Sequence, residues 1–147
     1  MGWPGGSRNT LIHLVGVPVN KVAVIWPRLD AAYEEACSHL GGLLSKEIIL
    51  ARALHGNGTL WITADDTDTE VTASCFTSEL QLSDNRMARV VECVAGKIKF
   101  DIFDFRMTLE KRAKEDGCAR LYFMMPRRWM PRLPDYHAAS VLMCKDI

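Results

Sequence analysis

Residues 86–125 read as strand, helix, strand, and no other stretch constrains the fold as strongly. Residues 86–95 alternate apolar side chains and close at Gly96. Asp101 suits the N-cap of the following helix, and Asp104 adds negative charge in its first turn, where the dipole favours it. Ile102, Phe105, Leu109 and Ala113 share one helical face. Lys111, Arg112 and Lys114 lie near the C-terminal end, and Gly117 suits the position just past it. Residues 118–125, with Leu121, Tyr122, Phe123 and two methionines, read as a buried strand. A strand–helix–strand connection makes its two strands parallel and its crossover right-handed. Upstream, residues 59–64 and 71–80 form a strand pair around the acidic turn 65–69, and 86–95 follows from the turn Ser83-Asp84-Asn85. The predicted class is α/β (α+β): a mixed, mostly antiparallel sheet with one parallel unit and helices on both faces.

The remaining segments fit around that sheet. Residues 1–10 carry three glycines and a proline and are expected to be a loose tail, leaving 11–147 as a single domain. Residues 11–25 are apolar and β-branched, which predicts one or two short strands, with Pro18 at an edge or turn. Pro27 suits the first turn of a helix carrying Leu29, Tyr33, Ala36 and Leu40, stopped by Gly41-Gly42. Ser45 can cap a second helix with Ile48, Ile49, Arg52 and Ala53, stopped by Gly56 and Gly58. Residues 126–134 form a basic, proline-rich segment around Trp129, and residues 138–145 predict a final strand.

Composition excludes several functions. The 18 basic and 18 acidic residues cancel, so no general electrostatic grip on nucleic acid or on an anionic membrane is expected. No apolar run reaches the roughly 20 residues a membrane helix needs. The first residues resemble neither a secretory leader nor a myristoylation signal. Five cysteines, an odd number with no C-x-x-C pair, predict reduced, buried thiols in a cytosolic protein and no zinc site. Asp65, Asp66, Asp68 and Glu70 lack the glycine and terminal glutamate of an EF-hand loop and read as a turn.

Four segments, taken in order, carry a family resemblance. They are Trp26-Pro27 with Gly41-Gly42, and Gly58-Thr59-Leu60-Trp61. The third runs from Leu109 through Lys111, Arg112 and Lys114 to Gly117-Cys118, and the fourth is Arg127-Arg128-Trp129-Met130-Pro131-Arg132-Leu133. Over residues 26–145 the chain resembles the GNAT N-acetyltransferases, and more narrowly the small GNAT-like proteins of tailed phages and prophages. The resemblance implies acetyl-CoA as cofactor, an amine as acceptor, and a cytoplasmic or virion-associated setting. It places the pantetheine arm between the strands 86–95 and 118–125. It places the pyrophosphate at Val94, Ala95, Gly96, Lys97 and Lys99, where only one glycine of the family's [RQ]-x-x-G-x-[GA] pattern stands. It also implies Glu92 as the base and Tyr136 as the acid that protonates the leaving thiolate. The incomplete loop keeps a second reading open, a non-catalytic phage accessory or virion-associated protein. Arg127, Arg128 and Arg132 around Trp129 keep a third, a protein- or nucleic-acid-binding segment, with Trp129 as a core plug being the simpler reading.

Overall fold

Chain order and spatial order coincide in the sheet of this protein. The computed structural model describes residues 13–64, 73–96 and 102–147. Strands β1 (His13–Gly16), β2 (Thr59–Ala64), β3 (Ala73–Gln81), β4 (Met87–Ala95) and β5 (Arg120–Phe123) lie side by side as β1-β2-β3-β4-β5. The first three pairings are antiparallel, and β4 and β5 are parallel. Helices α1 (Val19–Ile25), α2 (Asp30–Cys37) and α3 (Lys46–Leu54) precede β2, and α4 (Ile102–Glu115) is the crossover between β4 and β5. Two 3-10 turns, Trp26–Arg28 and Arg127–Arg132, complete the described elements. The expected tail, the acidic turn with Asp65, Asp66, Asp68 and Glu70, and Lys97, Lys99 and Asp101 lie outside the described residues.

Strand alternation sends side chains to two cores. On one face Leu60, Phe76, Cys93 and Ala95 meet Val22, Trp26, Leu29, Tyr33, Ile49 and Ala53 from the first three helices. On the other, Trp61, Cys75 and Val91 meet Phe105 and Leu109 of α4. Several buried polar groups inside this frame are paired, which offsets their desolvation. The Tyr33 hydroxyl lies 2.7 Å from Ser74 Oγ, and Ser74 Oγ donates to the Trp61 carbonyl at 2.7 Å. A serine hydroxyl has one proton to give, so Tyr33 is the donor in the first bond. Across the second face, Arg89 bonds Glu79 and Asp116 at 2.8 and 3.0 Å, tying the end of α4 to β3 and β4.

Local signals account for several boundaries. Ser45 Oγ accepts from the Ile48 N–H and caps α3. Gly58 leads into β2 at φ 150°, and a Cβ there would stand 2.3 Å from Cζ of the fully buried Phe76. Only glycine fits that approach.

Two expectations are corrected. Within the described residues 13–25 one strand of four residues is present, as expected, but Val19–Ile25 is helical rather than extended. Val22 and Trp26, one helical turn apart, are both buried, while Val24 is 72% exposed. Packing of that stripe overrides the β preference of the valines. Residues 138–145 form no strand; Val141, Leu142 and Met143 are 75, 77 and 86% exposed. A strand needs a neighbour to satisfy its backbone, and this segment pairs with none among the described residues.

Candidate active site

Strand β4 changes character at Glu92. Phe76 pairs with Cys93 and Thr77 with Val91, so Glu92 is the extra residue of a β-bulge. The pairing of β4 with β5 stops at the same level. Its last register pair is Val91 with Phe123, followed by one hydrogen bond from Met124 N–H to the Val91 carbonyl at 2.9 Å. Beyond it, residues 92–95 of β4 have no ladder partner on β5. An extra residue bends a strand and raises its twist, which is the local reason the two strands diverge here.

A slot of about 50 Å³ opens where they diverge. Cys93 and Val94 form one wall, Phe123 to Pro126 the other, and His39, Arg128 and Trp129 stand around it. Burial pushes the Cys93 thiol far up, so it stays protonated and is no nucleophile. His39 Nε2 lies 3.1 Å from Glu35 Oε1, an imidazole with a carboxylate to orient it. No motif surrounds His39 in the sequence; only the tertiary fold carries the end of α2 to this opening.

Glu92 is not the solvent-facing residue that simple alternation implies. It is 7% exposed. Arg52 of α3 holds it with a two-pronged pair, Nη1 to Oε1 at 2.7 Å and Nη2 to Oε2 at 2.8 Å. Arg52 also donates from Nε to the Asn57 carbonyl and lies over the Phe76 ring, 4.8 Å from its centre. Burial alone would raise the Glu92 pKa. The hydrogen bonds from Arg52 and Ser78, with the arginine charge, outweigh it, and the carboxyl titrates below the ordinary glutamate range. The sequence did hold a signal for this pair, an arginine within the apolar stripe Ile49, Ala53 of α3.

Tyr136 lies elsewhere. Its hydroxyl donates to Glu110 Oε2 of α4 at 2.6 Å, and its ring meets Phe123 edge-on. Burial, then the Glu110 carboxylate, raises its pKa strongly, so the phenol keeps its proton. It lines a separate groove of about 570 Å³ against Glu110, Ala113, Leu121 and Tyr122. Glu92 is thus bound to the α3 side of the sheet and Tyr136 to the α4 side, and neither lines the slot.

Of the residues expected at the pyrophosphate, Val94 lines the slot, Ala95 is buried in the helix-side core, and Gly96 is exposed at φ 101°. Trp129 is half-buried against the α4-side core, and Arg127, Arg128 and Arg132 are exposed around it. Among the described residues no group of His, Cys, Asp or Glu is arranged to hold a metal ion, and no helix is long and apolar enough to cross a membrane.

The sequence matches no protein-family model, and no curated protein matches it. Solved structures do match, over nearly their whole lengths. An aminoglycoside acetyltransferase from an uncultured soil metagenomic sample, crystallised with sisomicin, superposes with TM-score 0.65 at 8% identity, covering 95% of this chain and 98% of that one. A GNAT family acetyltransferase of Staphylococcus aureus gives TM-score 0.60 at 10% identity, covering 93% and 99%. The chain has the GNAT fold. A ribosomal-protein-alanine N-acetyltransferase of Brucella melitensis shares it, with TM-score 0.61 at 16% identity over 92% of this chain and 97% of that one. At these identities the likeness is one of backbone. What the GNAT-fold chain does chemically has to be argued from its own side chains.

Proposed function

We propose that this protein is an N-acetyltransferase that takes its acetyl group from acetyl-CoA and passes it to an amine. The observation that carries the reading is the coincidence of the Glu92 bulge with the parting of β4 and β5. Residues 92–95 then offer a strand edge with no partner on β5. The amides of a pantetheine arm can bond such an edge as a neighbouring strand would. The slot is narrow, since pockets that enclose a small molecule run to about 300–1,000 Å³. It receives the arm once Arg128, which is exposed, and Trp129, which is half-buried on the same turn, draw back.

Acetyl-CoA would supply an activated thioester. The chain's own part is to hold it along 92–95, exclude water and remove the ammonium proton of the acceptor. His39, oriented by Glu35 at the slot, is placed to take that proton. In this reading Glu92, doubly bonded to Arg52, fixes the bulge rather than accepting the proton. Tyr136 would serve as acid only after releasing Glu110. The pyrophosphate contacts are proposed at Gly96, Lys97 and Lys99, and the setting is cytoplasmic.

Calorimetric titration with acetyl-CoA tests the reading. Heat of binding is expected, together with a change in tryptophan fluorescence that Trp129→Phe removes. Free thiol release is then followed with an aminoglycoside and with a peptide bearing N-terminal alanine. No heat at millimolar ligand rejects the proposal. Binding without thiol release from any amine favours the second reading, a non-catalytic accessory protein. That reading is motivated by the prior engagement of both Glu92 and Tyr136.

A further inference from the structure

The arginines of this chain fall into two groups. Arg52, Arg86, Arg89, Arg106, Arg112 and Arg120 each bond a carboxylate, a carbonyl or a hydroxyl of the domain. Arg127, Arg128 and Arg132 are exposed on one turn, and their side chains make no ion pair or hydrogen bond among the described residues. The turn holds its own shape through backbone bonds from Trp129 to Pro126 and from Leu133 to Met130, each 3.0 Å, and the buried Leu133 anchors its end. A guanidinium with no partner in its own domain can take a carboxylate in its fork. The chain as a whole is neutral, so this positive charge is a local placement.

The placement is at the slot, where Arg128 and Trp129 line the opening between β4 and β5. The carboxylates of α2 on the His39 side already have partners: Glu34 pairs with Lys46 at 3.3 Å and Glu35 with His39 at 3.1 Å. Among the described residues, the charge beside the slot that nothing balances is therefore positive. At about 50 Å³ the slot lies far below the roughly 300–1,000 Å³ that encloses a small molecule. It admits an amine on a thin stem and leaves the body of the acceptor outside, to be read at the rim. A polypeptide offers such a stem, as a lysine side chain or an N-terminus. The amino groups of nucleic acids sit on aromatic bases, which draw in the nitrogen lone pair and make it a poor nucleophile.

We infer that the acceptor is a polypeptide whose amine is flanked by aspartate and glutamate, and that Arg127, Arg128 and Arg132 hold those carboxylates. The inference rests on the acetyl-transfer reading above and names the substrate class for it.

Fluorescence anisotropy tests it, with peptides that begin with alanine, carry a label at the C-terminus and continue with glutamates, serines or lysines. The intact chain is expected to bind the acidic peptide about tenfold tighter than the neutral one, less so at raised salt, and the basic one least. Arg127→Gln combined with Arg132→Gln is expected to abolish that preference with the native circular dichroism spectrum kept, since both side chains are exposed. Neither residue lines the slot, so calorimetric titration of this variant with acetyl-CoA should match the parent. An intact chain with no preference for the acidic peptide overturns the inference without any variant. A preference that survives the double substitution overturns it too, because another surface then holds the peptide. So does an equal loss of acetyl-CoA affinity in the variant, which gives the arginines to the cofactor, and so does a single-stranded RNA that displaces the acidic peptide at lower concentration. Acidic-peptide binding by a chain that gives no heat with acetyl-CoA rejects the transfer reading, and with it the peptide's role as acceptor, while the arginine surface itself stands.

Discussion

Strand β4 has two neighbours and treats them differently. Towards β3 it keeps eight register pairs, interrupted by one bulge. Towards β5 it keeps four and then parts. On the β3 side, Phe76, Cys75 and Ser74 are fully buried between helices. On the β5 side, residues 121–126 are all half-buried, and the chain beyond Tyr136 is exposed. Most of the stability therefore resides between β2, β3 and β4 and the first three helices. The region that would receive a ligand or a partner is built from the less buried part, as local stability differences within one fold allow.

Substitutions test this contrast, and the largest effect is expected at the closed side. Phe76→Ala should cost about 3–5 kcal/mol in urea denaturation, whereas Phe123→Ala, half-buried at the parting, should cost less than half of that. Equal losses would break the contrast.

Arg52→Ala comes next, at about 2–3 kcal/mol, because it leaves the Glu92 carboxylate buried without its cation. The pH dependence fixes the sign. In the folded chain the Glu92 pKa lies below its ordinary 4.5, so the pair's stabilisation is present above that value and is lost as pH falls through the folded pKa. In the variant, burial without Arg52 raises the pKa instead. Its stability should then rise as pH falls towards 4.5, because the folded chain takes up the proton first, whereas the parent's should not; urea midpoints across acidic pH would show it.

Gly58→Ala should cost about 1–3 kcal/mol, since its methyl group meets the Phe76 ring and its φ disfavours a side chain. A thermal melt that leaves Gly58→Ala unchanged would show that Phe76 is freer to move than its burial implies. The smallest effect is expected at Tyr136→Phe, about 1 kcal/mol for one half-buried hydrogen bond to Glu110. A much larger loss in calorimetric melting would place the open side within the main cooperative core.

Some of this architecture is legible without coordinates because it is local. The Ser45 cap, the glycine stops at Gly56 and Gly117 and the apolar face of α4 each depend on residues a turn or two apart. The parallel order of β4 and β5 follows from the crossover between them, and its hand is general to such units. The candidate site was less legible. Val94 was expected at the cofactor only through the resemblance, while His39 and Trp129 are carried to the slot by the fold, and Arg52 finds Glu92 across 40 positions.

Sequence by itself determined the helices and strands whose signals repeat within a few residues, together with the parallel unit that their order forces. Tertiary structure decided the bulge at Glu92, the helical state of Val19–Ile25 and the unpaired state of residues 138–145. Each of those turns on what lies distant in the chain: a facing strand with one residue fewer, a core that wants Val22 and Trp26 together, or, for residues 138–145, the lack of a neighbouring strand among the described residues. Propensity amounts to a few tenths of a kcal/mol per residue, about a tenth of what burying one large side chain supplies, so contact settles such cases.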